Sequence, residues 1–251
     1  MVATTAVTDV GALAWLALAF AALLVGFAKT AIGGAASISV AVFATVTQAR
    51  ASTGALLVLL LVGDVVAVLS YRAHAQWGTL LRLLPAVVVG VIAGVVFVER
   101  VDDTVMKRTI GVILLFLVAV GIWQRARVRD GPTLASHQAT GGYGVLAGFT
   151  TMVANAGGPV MAMYLLAARL EVLRFLGTTA WFFFLVNLIK LPFSIRLGLV
   201  TRSSLLLDIT LVPLVLVGTV VGRFVIRRID QGRFETLVLV FTVVSTVPLL
   251  V

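Results

Sequence analysis

The chain has 251 residues, 61% of them hydrophobic and 12% charged, and its mean hydropathy of +1.16 is more than a water-soluble domain can keep off its surface. A net charge of +9 is distributed among short loops rather than gathered on one face, which excludes a surface built to track nucleic acid. The absence of cysteine excludes disulfides, iron–sulfur clusters and thiolate metal sites, and no cofactor is called for.

A membrane-spanning helix needs about 20 mostly apolar residues, and such runs fill nearly the whole chain. Residues 1–8 carry no side-chain charge, so the first apolar run, 11–28, lacks the basic flank of a secretory signal and reads as a retained segment. Further runs follow at 35–47, 51–71, 80–98 and 104–123. The stretch 124–140, with Arg125, Arg127, Arg129, Asp130, Gly131 and Pro132, reads as an exposed polar linker. A second set of apolar runs occupies 142–153, 159–168, 173–195, 205–223 and 234–250.

The two sets match. Gly33, Gly34, Arg50 and Arg72 recur 124 positions later as Gly157, Gly158, Arg174 and Arg196. Pro85, Gly90, Gly94, Arg100 and Asp102 recur 128 positions later as Pro213, Gly218, Gly222, Arg228 and Asp230. One small insertion reconciles the offsets, and the pattern predicts a duplication, with repeats over 11–123 and 141–251, of the kind from which many secondary transporters are made. The pairs Gly90/Gly94 and Gly218/Gly222 have the spacing that lets membrane helices approach closely, and are expected to serve packing.

Each repeat opens on an apolar stretch broken by Gly-Gly, at Gly33-Gly34 and at Asn155-Ala156-Gly157-Gly158-Pro159. Glycine weakens a helix, and proline suits the first turn of a new one. The pieces flanking the second break, about a dozen residues each, span roughly 18 Å and read as half-helices. Irregular backbone survives at membrane depth only beside protein or a watery cavity. A half-helix starting there points unpaired N–H groups at that cavity, which suits an anion. Merely kinked spanning helices are the alternative.

Charges inside spans are costly and mark function. Lys29, Asp64 and Lys190 stand out, and Lys190 shares a helix face with Asn187, three residues before it. Either lysine can hold an anion or pair statically with Asp64. Asp64, read as the one carboxylate confidently within the spans, can instead accept a coupling proton, and Lys29 can snorkel to an interface. Ser37, Thr178 and Thr179 are candidate hydroxyl donors, although such residues often bond their own backbone. Arg50 and Arg174 follow the breaks at equivalent positions and suit interfacial anchoring better than anion attraction. His74 and His137 fall in loops without companion ligands, so a metal site is not expected. An intramembrane protease would need a Ser/His pair or two acids, so no enzyme is indicated.

The run Gly148-Phe149, Asn155-Ala156-Gly157-Gly158-Pro159, Tyr164-Leu165-Leu166, Gly177-Thr178-Thr179-Ala180, Asn187-Leu188-Ile189-Lys190 and Gly198-Leu199 resembles the TauE/SafE family of sulfite exporter-like permeases. The likeness extends over roughly 12–251 and is looser in the first half, where Ala35-Ala36-Ser37 follows Gly33-Gly34 without a proline. It implies export of sulfite, organosulfonates or related sulfur-containing anions across a plasma or inner membrane.

The expectation is therefore an all-α polytopic membrane protein of two tandem repeats, each with one Gly-Gly-broken segment and three transmembrane helices. Its partners are a small anion and the lipid bilayer, and a homo-oligomer is compatible with the sequence. Substrate-binding candidates are Lys29, Gly33, Gly34, Ser37, Asn155, Gly157, Gly158, Thr178, Asn187 and Lys190, with Asp64 for proton coupling. A coupled carrier, a passive anion channel and a structural or receptor-like protein stay open, in that order. A broken segment that crosses once makes the repeats parallel, whereas a return pair or a short re-entrant hairpin makes them inverted, the arrangement favoured here.

Overall fold

A computed structural model of the chain describes residues 11–31, 35–127, 137–168, 170–230, 232–234 and 236–237. Among these, the chain forms α1 (Ala12–Thr30), α2 (Ala36–Val46), α3 (Ala49–Tyr71), a 3-10 turn at Arg72–His74, α4 (Trp77–Arg100), α5 (Asp103–Arg127), α6 (His137–Ala154), α7 (Gly157–Ala167), α8 (Val172–Arg196) and α9 (Arg202–Ile226). Further helical residues lie at 232–234 and 236–237. By length and composition α1, α3 with its 3-10 extension, α4, α8 and α9 can each cross a membrane. By contrast, α2 and α7 have 11 residues each, about 16 Å of rise, half of a hydrocarbon core.

Several boundaries differ from the sequence expectation. α6 has 18 residues, so only the second piece of its broken segment is a half-helix. The linker expected over 124–140 is helical at both ends: α5 continues through Arg127, and α6 opens at His137, which therefore does not lie in a loop. Polarity does not end a helix, since Gln and Arg are good helix formers. Gly33 and Gly34 lie outside the described residues, as does most of the final apolar run expected over 234–250.

Glycines determine how the helices stack. A Cβ on Gly26 or Gly218 would run into the Val215 or Leu23 carbonyl of the facing helix, so α1 and α9 touch backbone to backbone. Gly90 and Gly148 do the same for α4 and α6, against the carbonyls of Val145 and Val87. Gly94 and Gly222 continue the two contacts against Met152 and Thr30, so both predicted glycine pairs do serve packing. Contacts advance in the same sense along both chains of each pair, so α1 runs parallel to α9 and α4 parallel to α6. α3 and α8 run antiparallel: Gly54 abuts Leu199, Asp64 meets Asn187, and Gly177 lies against the backbone of Tyr71 and His74.

This packing is testable. Gly218→Ala forces a methyl group into backbone that cannot swing aside, and overpacking of that kind costs about 1–3 kcal/mol. We expect a lower thermal midpoint in detergent, whereas Gly111→Ala in α5, where nothing lies within 4 Å of the new Cβ, leaves the midpoint unchanged.

The corners have local causes. α8 ends on Gly198 at φ 67°, with Gly198 N–H donating to the Ile195 carbonyl and Leu199 N–H to that of Ser194, both at 3.0 Å, the Schellman arrangement that glycine favours. Thr201 and Ser204 then form a reciprocal capping box that starts α9. Arg50 donates from Nη1 to the carbonyls of Val98 at 2.8 Å and Val101 at 2.5 Å, holding the C-terminal end of α4. Outward faces are apolar: Phe20, Leu69, Ile209 and Phe224 are exposed, a surface suited to lipid.

Candidate functional site

The second break forms at Asn155, the one described non-glycine residue with positive φ, at 50°. Asparagine tolerates this region better than most residues. α6 therefore stops at Ala154, and α7 restarts at Gly157 with Pro159 in its first turn. A Cβ on Gly157 would meet Thr151 Cβ at 3.0 Å and Phe183 Cε1 at 3.3 Å, so the close approach of α7 to α6 and α8 requires a small residue there. In the first half the corresponding gap lies between Thr30, the last residue of α1, and Ala36, the first of α2.

Around these breaks the expected charges converge. Lys29 leaves the last turn of α1 and places Nζ 2.6 Å from Asp64 Oδ1 on α3 and 4.5 Å from the ring centre of Phe183. Asn187 Nδ2 donates to Asp64 Oδ2 at 2.7 Å. Lys190 Nζ donates to the Thr151 carbonyl at 2.6 Å and Asn155 Oδ1 at 2.7 Å, with Thr151 Oγ1 and Asn187 Oδ1 at 3.3 Å. Asn155 Nδ2 donates in turn to the Thr53 carbonyl at 2.9 Å. Each amide thus turns its NH₂ to an acceptor and its oxygen to Lys190, a shell of oxygens that suits a donor-only ammonium. Lys190 shares the Thr151 carbonyl, at the end of α6, with the Asn155 N–H, which donates to it at 3.0 Å.

Asp64, Asn187 and Lys190 are fully buried or nearly so, and the Lys29 side chain is 7% exposed. Lys29 pairs with Asp64, whereas Lys190 is held by neutral oxygens and has no carboxylate of its own among the described residues. The cluster surrounds a cavity of about 20 Å³ walled by Lys29, Asp64, Asn155 and Asn187, with Thr179 and Phe183, room for about one water. Ala36 and Gly158 line it as well, so the N-terminal ends of both half-helices open onto the same space.

Not every candidate reaches it. Thr178 sits on the far side of its helix turn, where its hydroxyl donates to the Arg174 carbonyl at 2.7 Å and accepts from Gln76 N–H at 3.0 Å. Its neighbour Thr179 lines the cavity instead, with a buried hydroxyl that has no hydrogen-bond partner among the described residues. Ser37 is buried in the first turn of α2, next to Ala36. Lys190 stands behind the wall, engaged with α6, whereas Lys29 is on it. Arg174 is exposed beside Glu171. Thr151 and Phe183 were not singled out from the sequence, although Thr151 lies four residues before Asn155 and Phe183 four before Asn187, each on the same helix face as a candidate. Asp64 is also not alone: Asp208 on α9 is 1% exposed, and neither carboxylate oxygen has a hydrogen-bond partner among the described residues.

A family model described as the sulfite exporter TauE/SafE matches residues 18–249. No curated protein and no solved structure matches the chain.

Proposed function

The chain belongs to the sulfite exporter TauE/SafE family, and from that membership we propose that it carries small sulfur-containing anions such as sulfite or organosulfonates, bound between the two broken helices where the cavity of about 20 Å³ widens to admit them. Membership makes it a multi-pass transporter of a cell membrane and not an enzyme. The observation that carries the proposal is the gathering of two lysines, Lys29 and Lys190, with one acid, Asp64, around a cavity onto which two half-helices start. Buried charge without a counter-ion is costly. A small anion supplies the missing counter-charge, and the N–H groups at the starts of α2 and α7 are oriented to receive its oxygens.

In this reading Lys29 is the cation that meets the anion, because it lies on the wall. Lys190 contributes charge from behind while holding Asn155, and Gly157 and Gly158 form the cradle at the start of α7. Asp64 is the group that takes a coupling proton when the anion competes for Lys29. The halves 11–123 and 141–251 are read as inverted repeats. Supporting this, α1 on α9 mirrors α6 on α4, and the counterpart helices α3 and α8 run in opposite directions. Such repeats commonly place the substrate at their interface, near the midplane.

Sulfite flux into proteoliposomes, with and without a pH gradient, tests the proposal. Saturable flux that responds to the gradient and is competed by methanesulfonate is the expected result. Flux that rises linearly with concentration and follows voltage alone would replace the carrier with a channel. Thr179 gives a sharper check. Its unpartnered hydroxyl is a donor for an anion oxygen, and a hydrogen bond to a charged group contributes about 1.5–3 kcal/mol. Thr179→Val, which keeps the shape, is expected to raise KM for sulfite roughly tenfold or more at an unchanged melting temperature, and Thr179→Ser to restore it.

A further inference from the structure

We infer that the site is charge-balanced for one net negative charge per turnover, so that a monoanion travels alone and a dianion travels with a proton on Asp64. The inference rests on the cavity at Lys29 being the transport site. Its basis is the composition of the cluster. Lys29 and Lys190 are opposed by Asp64 alone, and the remaining contacts, from Asn155, Asn187, Thr151 and Thr53, are neutral amides, hydroxyls and carbonyls. With Asp64 ionised, one negative charge brings the buried cluster to neutrality, and a second would leave it negative in a low-dielectric interior.

The elements packed around Asp64 offer no other means of balancing a dianion. From α1 it faces Lys29 and from α8 Asn187, with Lys190 one turn beyond. α2 carries no titratable side chain. α9 meets α3 at Gly63 through Val215, and its charged residues Asp208 and Arg223 each lie about two turns away along that helix, roughly 10–12 Å. The charged residues of α5 nearest α3, beginning with Asp103, sit by Arg50 at the opposite end of α3. A proton on Asp64 is therefore the local way to admit the second negative charge: protonation breaks the ion pair, frees Lys29, and leaves two positive charges for the two of the dianion.

Asp64 is then the residue that sets the charge class of the cargo. The test is the net charge moved per anion, read from reversal voltages in proteoliposomes of the full chain, with sulfite and the permanent monoanion methanesulfonate as probes. Wild type is expected to move about one negative charge per anion with either probe, and methanesulfonate flux should not be driven by a pH gradient at zero voltage. In Asp64→Asn, where the side chain is permanently neutral, the charge per sulfite should rise to about two, and methanesulfonate flux should fall at least tenfold relative to sulfite. Electroneutral or two-charge movement by wild type overturns the inference, as does a pH-driven methanesulfonate flux or an Asp64→Asn protein that keeps the wild-type charge ratio. Where the variant does not fold, wild type is measured at a pH well above neutral, where sulfite is the dianion: one charge per anion then still requires a co-transported proton, and two charges overturn the inference. Absence of flux for both probes in wild type instead removes the carrier reading itself.

Discussion

Lys29→Met is expected to reduce sulfite flux to the background of empty liposomes and to lower the protein's stability by about 3–5 kcal/mol, the usual cost of stripping one partner from a buried ion pair. The two effects have separate causes. Flux is lost because the cation on the cavity wall is gone, and Lys190, held by Thr151 and Asn155, cannot swing forward without opening the second break. Stability falls because Asp64 keeps its bond from Asn187 but loses the ammonium at 2.6 Å. The double variant Lys29→Met/Asp64→Asn separates them: with no buried carboxylate left unpaired, the melting temperature should recover most of its loss while flux stays at background. Recovery of flux in the double variant would show that Lys29 serves only to neutralise Asp64, and the anion site would have to be sought elsewhere.

How far the site could be read in advance depends on which physical signal each residue leaves. The breaks were visible because Gly-Gly and Gly-Gly-Pro weaken a continuous helix, and the Lys29–Asp64 pair was among the pairings the sequence offered, but the bond from Asn187 to Asp64 was not read in advance. Glycine spacing likewise announced close packing of α4 and α9, although not which helices they meet. Thr178 and Thr179 show the limit. Adjacent residues on a helix differ by 100° in direction, and the register Thr179, Phe183, Asn187, in steps of four, follows the cavity-facing stripe. That register was present in the sequence, but composition alone gave no reason to prefer one threonine. Which lysine faces the cavity was not legible at all, because it depends on the end of α6, whose carbonyl draws Lys190 away from the opening. Asp208 lies near the start of a run that also reads as an interfacial helix end, and its burial comes from tertiary packing.

Lys190→Met carries the second large effect, and its character should differ from that of Lys29→Met. The ammonium closes a junction between α8, the end of α6 and the left-handed turn at Asn155. Its removal leaves the side-chain oxygens of Asn155 and Asn187 without their donor, at about 1–3 kcal/mol each, while the Thr151 carbonyl keeps the Asn155 N–H, so the total loss should be comparable with that of Lys29→Met. The turn at Asn155 is held in an uncommon backbone region and persists only while its surroundings fix it. Hydrogen exchange should therefore accelerate over 151–158 in Lys190→Met and stay near wild type there in Lys29→Met. Flux should fall through loss of the shaped cradle at Gly157 and Gly158. A protein that lost flux with unchanged exchange over 151–158 would place Lys190 among the groups that meet the anion directly, beside Lys29 rather than behind it.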